Sequence, residues 1–333
     1  MKISVLVPTY RRPHQLAEAL ESLAKQDRSL IGEILVGDDS PESVWEANRA
    51  AIAASSVASL VRYLPNDPPL GNYPNQCGLG DAARYDHVMI LHDDDHLVSG
   101  GMDRLARACV AETDPRVKIW FGREDIMDSA GHVDPVRSQD NAQQFGKGGP
   151  ACAKPVWDWC LTQSLPPNSA LMGRETYRTS MRGGRDGNAG DWGLHVRLAN
   201  TGAWGRFIGE TVSRYRTQPA SITASGHGID VHCMYELANQ LQVPRDRAAQ
   251  KRQIVRAFAE VATVRYLREG ERRRAWRCFA ADWPWRRRLS PRGVCTLAMF
   301  VTPSRVLQAL FERKVVRRGA DDNAESVRAP LTA

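Results

Sequence analysis

Along the first hundred positions, apolar residues gather in short runs, and each run stops at a polar or proline-containing turn. Ile3 to Val7 is apolar, largely β-branched and closed by Pro8, the pattern of a buried strand. Between Pro13 and Gln26, Leu16, Ala19, Leu20 and Leu23 recur at helical spacing. A second strand is predicted over Glu33 to Val36, ended by Gly37, Asp38, Asp39 and Ser40. Pro41 suits a first helical turn, and Trp45 to Val57 reads as helix. Ser59 to Leu64 reads as a third strand. A loop from Asn66 to Asn75 then leads into a helix ending near Arg84. Val88 to Leu91 is a fourth strand, and it runs straight into His92, Asp93, Asp94, Asp95 and His96.

Strand and helix alternate, so an α/β fold with a parallel sheet and right-handed crossovers is predicted. Ligands of such sheets bind beyond the carboxyl ends of the strands. Three of those ends carry polar sets: Thr9 to Arg12, Asp38 with Asp39, and Asp93 to Asp95. They are expected to converge on one cleft.

The middle, from Met102 to about Thr223, is less regular. It has a helix around Leu105, Cys109 and Val110, a strand over Val117 to Phe121, and glycine-rich loops near 146–149 and 183–190. From Gly228 the pattern is helical, punctuated by Pro244, Pro284, Pro291 and Pro303. The expected organisation is a catalytic domain over 1–225, a basic helical extension over 226–320 and a disordered tail over 321–333. The longest apolar stretch, Val294 to Phe311, is broken by Thr302, Pro303, Ser304 and Arg305, so no spanning helix is predicted.

Charge changes the picture in one place. The 333 residues carry a net charge of +7, yet Glu271 to Arg318 alone holds 13 Lys or Arg against 3 Asp or Glu. The basicity therefore belongs to the extension and leaves the front of the chain net acidic. Trp276, Trp283 and Trp285 lie among these arginines, which suits an anionic membrane surface met from the cytoplasmic side. A helical hairpin with its tryptophans inward is the other reading. Nucleic acid is not expected, because no recognisable nucleic-acid motif accompanies the charge. The seven cysteines form no CxxC pair, which predicts reduced thiols rather than a zinc site. Lys2 and Pro8 bracket too short an apolar run for a signal peptide, so a cytoplasmic setting, peripheral to the inner face of the membrane, is expected.

The chemistry centres on Asp93, Asp94 and Asp95. One-residue spacing lets a turn bring two carboxylates to one ion, and magnesium or manganese is often held by one or two carboxylates plus substrate phosphates. A solvated acidic turn would use the same residues. The two neighbouring polar strand ends favour the ligand.

Five stretches in order are similar to the family 2 glycosyltransferases, whose nucleotide-sugar-binding fold is known as GT-A. They are SVLVPTYRRPHQLAEALESLAKQ, EILVGDDSPE, GNYPNQCGLGDAARYDHVMILHDDDHLVSGGMDRL, GDWGLHVRLANTG and TVSRYRTQPASIT. They span Lys2 to about Thr223. The resemblance implies a Rossmann-like, mostly parallel sheet with flanking helices. It implies that Pro8, Thr9, Tyr10 and Arg12 line the nucleotide, that Asp38 and Asp39 hold its base and ribose, with Asp39 the favoured direct contact, and that Asn72 and Asn75 lie close by. Asp93, Asp94 and Asp95 become the DXD segment, with Asp95 and Asp93 on a divalent metal (manganese or magnesium). Asp191 becomes the general base; from spacing alone it reads as a helix N-cap. Gly190 stands where the family often has an acidic residue. Gln218 stands where it often has histidine, and is a weak metal-ligand candidate. Trp192, beside Asp191, is a weak candidate for stacking on an acceptor sugar.

The implied activity is transfer of a sugar from a nucleoside-diphosphate sugar to a hydroxyl of a saccharide or lipid-linked acceptor, with inversion and metal assistance. A metal-dependent nucleotidyltransferase or phosphohydrolase, or a non-catalytic membrane-associated scaffold, are the competing classes.

Overall fold

The computed structural model describes residues 1–183, 186–217, 231–303 and 305–307. Residues Met1–Ala248 form one compact unit and the chain from Ala249 forms another.

The first unit is built on a mixed, mostly parallel sheet. Its strands are β1 (Ile3–Thr9), β2 (Ile31–Asp38), β3 (Val61–Pro65), β4 (His87–Ile90), β5 (His96–Leu97), β6 (Val117–Met127), β7 (Val133–Asp134), β8 (Cys152–Pro155), β9 (Leu171–Gly173) and β10 (Trp204–Arg216). Across the sheet the order is β3-β2-β1-β4-β9-β6-β10-β5, with β7 beside β6 and β8 beside β10. β3, β2, β1 and β4 are parallel. β9 runs against both β4 and β6, so those two point the same way, and β10 runs parallel to β6. The carboxyl ends of β2, β1, β4 and β6 therefore open on one side, where a ligand of an α/β sheet is met.

The helices of this unit are α1 (Pro13–Ala24), α2 (Glu42–Ala54), α3 (Asn72–Ala82), α4 (Gly101–Val110), α5 (Pro135–Gln144), α6 (Val156–Leu161), α7 (Arg174–Met181), α8 (Gly190–Asn200) and α9 (Val231–Gln240). Two clusters of buried apolar residues hold the sheet. Leu16, Leu20 and Leu23 of α1 pack with Val5, Val7, Ile34 and Val36; Leu79, Tyr177, Leu194 and Val196 pack with Leu6, Leu35, Ile119 and Phe121. The alternation of Val5 and Val7 against Leu6 sends successive side chains to opposite clusters, as strand geometry requires.

Three boundaries differ from the sequence reading. The third strand begins at Val61, because Leu60 N–H closes on Val57 C=O at 2.9 Å and makes Ala58–Leu60 a 3₁₀ turn. α2 starts at Glu42, whose charge favours the first turn of a helix. β6 continues past Phe121 to Met127, carrying Arg123, Glu124 and Asp125 inside a strand that polar residues had disguised.

The second unit is helical: α10 (Ala248–Arg268), α11 (Arg272–Asp282), α12 (Trp285–Arg288) and α13 (Pro291–Val301). Its core holds Val255, Ala259, Tyr266 and Leu267 of α10 with Cys278 and Phe279 of α11. Trp283 is buried, and its indole N–H donates to Thr263 Oγ1 at 3.0 Å. No described helix is long and apolar enough to cross a membrane. All seven cysteines are free thiols.

Candidate active site

The turn after β4 is the centre of the site. Asp93 faces back toward β1. Its Oδ2 accepts from Thr9 Oγ1 at 2.7 Å and Tyr10 N–H at 3.3 Å, and its Oδ1 from Arg12 Nη1 at 3.2 Å. Arg12 also reaches Asp94 Oδ2 at 2.5 Å. Pro8 lies buried within β1, and Tyr10 is half exposed at the lip. Arg11 turns the chain there through φ 57°, with its N–H on Ser40 Oγ at 2.7 Å. The loop after β1 is thereby tied to both neighbouring strand ends.

Asp95 is buried and faces the other way. Its Oδ1 accepts from Arg216 N–H at 2.8 Å, and its Oδ2 takes a short bond from Asn168 Nδ2. Asn168 sits just before β9, and the next residue, Ser169, has φ 58° and donates its N–H to Ile90 C=O at 2.7 Å. Arg216, at the end of β10, is itself shared: Nε reaches Asp94 C=O at 2.8 Å and Nη2 reaches Glu18 Oε2 at 2.5 Å. No pattern in the chain marks Asn168. A serine in left-handed backbone after two prolines is visible only once the chain is folded.

The ends of β1 and β4 hold more negative charge than burial tolerates. Burial, then the adjacent Asp94 charge, push the Asp93 carboxyl up to about 6 against the pull of Arg12. The same two causes hold Asp95 well above the carboxylate range, with Glu124 and Asp93 adding to them. Burial holds the His92 imidazole below its usual value, while Asp94 and Asp191 pull it upward. Potential ligand atoms of His92, Asp94 and Asp95 lie within 4.8 Å of one another. Two carboxylates and a neutral imidazole at that spacing fit a divalent cation. This differs from the expected pair. Asp93 directs both its oxygens to the β1 loop, whereas Asp94 gives one oxygen to Arg12 and, with His92, stands beside Asp95. Gln218, the weak ligand candidate, lies outside the described residues.

Asp191 comes to the same place from α8. The helix cap falls on Ala189 and makes no side-chain hydrogen bond, so Asp191 sits inside the first turn and is not the cap. Among the described residues its carboxylate accepts no hydrogen bond, but it lies within electrostatic reach of His92 and of buried His195. Burial drives the His195 imidazole down to about 4, so this ring is neutral beside Asp191. Gly190 has a steric reason: a Cβ there would meet the Tyr73 ring at 2.5 Å. Trp192 is buried in the apolar core, packed rather than presented to a sugar.

The β2 end is organised differently. Asp38 is fully buried, and its oxygens accept from Ser40 N–H at 2.9 Å, Asn48 Nδ2 at 2.6 Å and Tyr63 O–H at 2.6 Å. Asp39 accepts from Leu70 N–H at 2.6 Å, Gly71 N–H at 2.8 Å and Asn66 Nδ2 at 3.2 Å. Asn75 donates to Gly37 C=O at 2.8 Å and accepts from Asn66 Nδ2 at 3.0 Å, while Asn72 Oδ1 accepts from Gln76 at 3.0 Å. These residues frame the cleft by fixing the Asn66–Gly71 loop.

Glu124 was missed by sequence reasoning. It is buried near the end of β6, pairs with buried Lys147 at 2.5 Å, and leaves Oε1 without a partner among the described residues. Its charge is felt at both His92 and Asp95.

Residues 4–105 match the profile described as Glycosyl transferase family 2. A crystal structure of S. aureus TarS 1-349 in complex with UDP-GlcNAc superposes with a TM-score of 0.60 at 14% identity, covering 94% of this chain and 92% of that one. Its complex with UDP gives 0.59 at 14% identity over the same shares. Residues 4–105 are thus similar to the family 2 glycosyltransferases, and the chain as a whole shares the GT-A fold of the TarS structures. Among curated sequences, "Uncharacterized protein MT1568" of Mycobacterium tuberculosis (strain CDC 1551 / Oshkosh) is 31% identical over 119 residues, 36% of this chain. That match spans 35% of the relative's length.

Proposed function

We propose that this chain transfers a sugar from a nucleoside-diphosphate sugar to an acceptor hydroxyl, with inversion at the anomeric carbon. One observation supports the reading: Asp191, relieved of capping duty, lies within electrostatic reach of His92, which stands with Asp94 and Asp95 in the partly buried cluster. A carboxylate so placed can take the proton of an attacking hydroxyl. Attack from the face opposite the departing diphosphate inverts the centre.

His92, Asp94 and Asp95 would hold manganese or magnesium, which when bound offsets the charge developing on the departing diphosphate. Arg12 and Thr9 keep Asp93 turned toward β1 and so fix the turn that presents Asp94 and Asp95. Tyr10 and Arg12 at the end of β1, with Asp39 and the loop it orders, would receive the nucleotide. A uridine diphosphate sugar is the first donor to try, since the TarS structures contain UDP-GlcNAc and UDP. The acceptor is a saccharide or a lipid-linked saccharide.

The test is release of nucleoside diphosphate from a panel of nucleotide sugars, with manganese, with magnesium and with chelator. Turnover of one donor, lost in chelator and in Asp191→Asn, supports the reading. Release of inorganic phosphate from simple monoesters, with no nucleotide-sugar turnover, would replace it with a phosphohydrolase.

A further inference from the structure

The second unit carries a helix turned inside out. In α13 the buried positions are Gly293 and Thr296. Val294, Leu297 and Val301 face outward, with Val301 84% and Val294 58% exposed. Exposed Cys295 lies among them. An ordinary surface helix buries the apolar stripe and exposes the polar one. The reversal has a local cause. Gly293 lets the helix start approach the end of α12, where a Cβ would meet Arg288 C=O at 2.2 Å, and Ser290 caps the helix through Gly293 N–H. The small residues at the helix start must therefore face inward, with Phe300 a turn further on against Trp276 and Phe279, while Val294, Leu297 and Val301 stay outside.

Just before this helix, Trp285 is 65% exposed and Leu289 75% exposed. Arginines surround these positions. Arg286 lies over the Trp285 ring at 5.4 Å, and Arg287 and Arg292 lie beside Glu260 at 3.6 and 3.3 Å. Between Arg272 and Val301 there are eight arginines and one aspartate.

We propose that α12 and α13 lie in the interface of an anionic membrane, with Trp285, Leu289, Val294, Leu297 and Val301 inserted and the arginines at headgroup level. Apolar burial and attraction to anionic lipid add in such a helix. Charge chooses this occupant over a second copy of the chain, because a self-contact would bring arginine-rich fringes together, whereas anionic lipid neutralises them. The inference does not depend on the transfer reaction.

Sedimentation of the full chain with vesicles tests it. Phosphatidylglycerol-containing vesicles should carry the protein down at low salt and release it at high salt; phosphatidylcholine vesicles should not bind it. Leu297→Glu/Val301→Glu should weaken binding at least about tenfold. Its circular dichroism and melting should stay unchanged, since both side chains are exposed. Arg286→Gln should weaken binding less, and only at low salt. The proposal is overturned if phosphatidylglycerol vesicles bind nothing, or if the double variant binds like the parent. It is also overturned if the parent self-associates at micromolar concentration and that association is what the double variant loses.

Discussion

Asp38 and Asp95 are both buried aspartates at the carboxyl end of a parallel strand, yet their surroundings are opposite. Around Asp38 every partner is a neutral donor: a backbone N–H, an amide and a phenol. Its one charge is matched by its hydrogen bonds, and the β2 end is closed. Around Asp95 stand Asp93, Asp94 and Glu124, with Asp191 facing the adjacent His92. The nearby cations are already divided: Arg12 is shared by Asp93 and Asp94, Arg216 pairs with Glu18 and Lys147 with Glu124, which leaves Asp95 without one. Neutral donors make a buried carboxylate part of the scaffold. An excess of carboxylates leaves a site that a cation completes. Asp95 too accepts from neutral donors, Arg216 N–H and Asn168 Nδ2, so what separates the two ends is the set of carboxylates crowded around one of them.

The largest effect expected is at Asp191. Asp191→Asn keeps the shape and loses the proton acceptor, so turnover should fall on the order of a hundredfold to ten-thousandfold with donor affinity little changed. Near-native turnover would return Asp191 to a helix-dipole role. Asp94→Asn comes next. It removes a charge from the trio with His92 and Asp95, and should cost roughly a hundredfold to a thousandfold in turnover and weaken manganese binding by calorimetry. Manganese affinity equal to the parent would place the cation elsewhere and dissolve the contrast.

At the closed end the loss should appear in folding instead. Asp38→Ala strands Asn48 and Tyr63, and should lower stability by roughly 2–4 kcal/mol in denaturant melts. A variant of native stability with donor binding abolished would make β2 a site like β4. The smallest effect is at Glu33, further back on β2. Burial pushes this carboxyl up, but hydrogen bonds from Arg62, Arg84 N–H and Ser4 outweigh it and hold the group below its ordinary value. Its stabilisation is present above about pH 4.5 and is lost as pH falls through the folded value. Glu33→Gln should therefore melt lower than the parent at pH 7, by about 1–2 kcal/mol, and the gap should close in acid. A gap independent of pH would mean the carboxylate charge is idle.

These contrasts also explain what could be read in advance. The strand ends were legible because apolar runs stop abruptly at Thr9, Asp38 and Asp93, and an alternating chain must bring such ends together. Asp191 was legible only through resemblance, since spacing alone cannot show that the helix begins two residues earlier, at Ala189. Arg216 was legible through the resemblance of its closing stretch, whereas Asn168 and Glu124 owe their places to β9 and β6 lying side by side. That juxtaposition joins segments far apart in the chain and leaves no local pattern. The same holds for α13: its spacing reveals an amphipathic helix but not which face is outward.

Gly190 and Tyr73 share one volume. The ring fills the space a side chain at 190 would need, and its hydroxyl is anchored on Met181 C=O. The two positions are therefore a coupled pair in descent. A relative that carries glutamate at the equivalent of 190 should carry a smaller residue at the equivalent of 73, and neither change should be tolerated before the other. Gly190→Glu alone should fail, Tyr73→Ala should weaken the fold, and the two together should recover part of what each loses. Acidic and glycine forms of this site would then differ by a paired exchange between α3 and the start of α8.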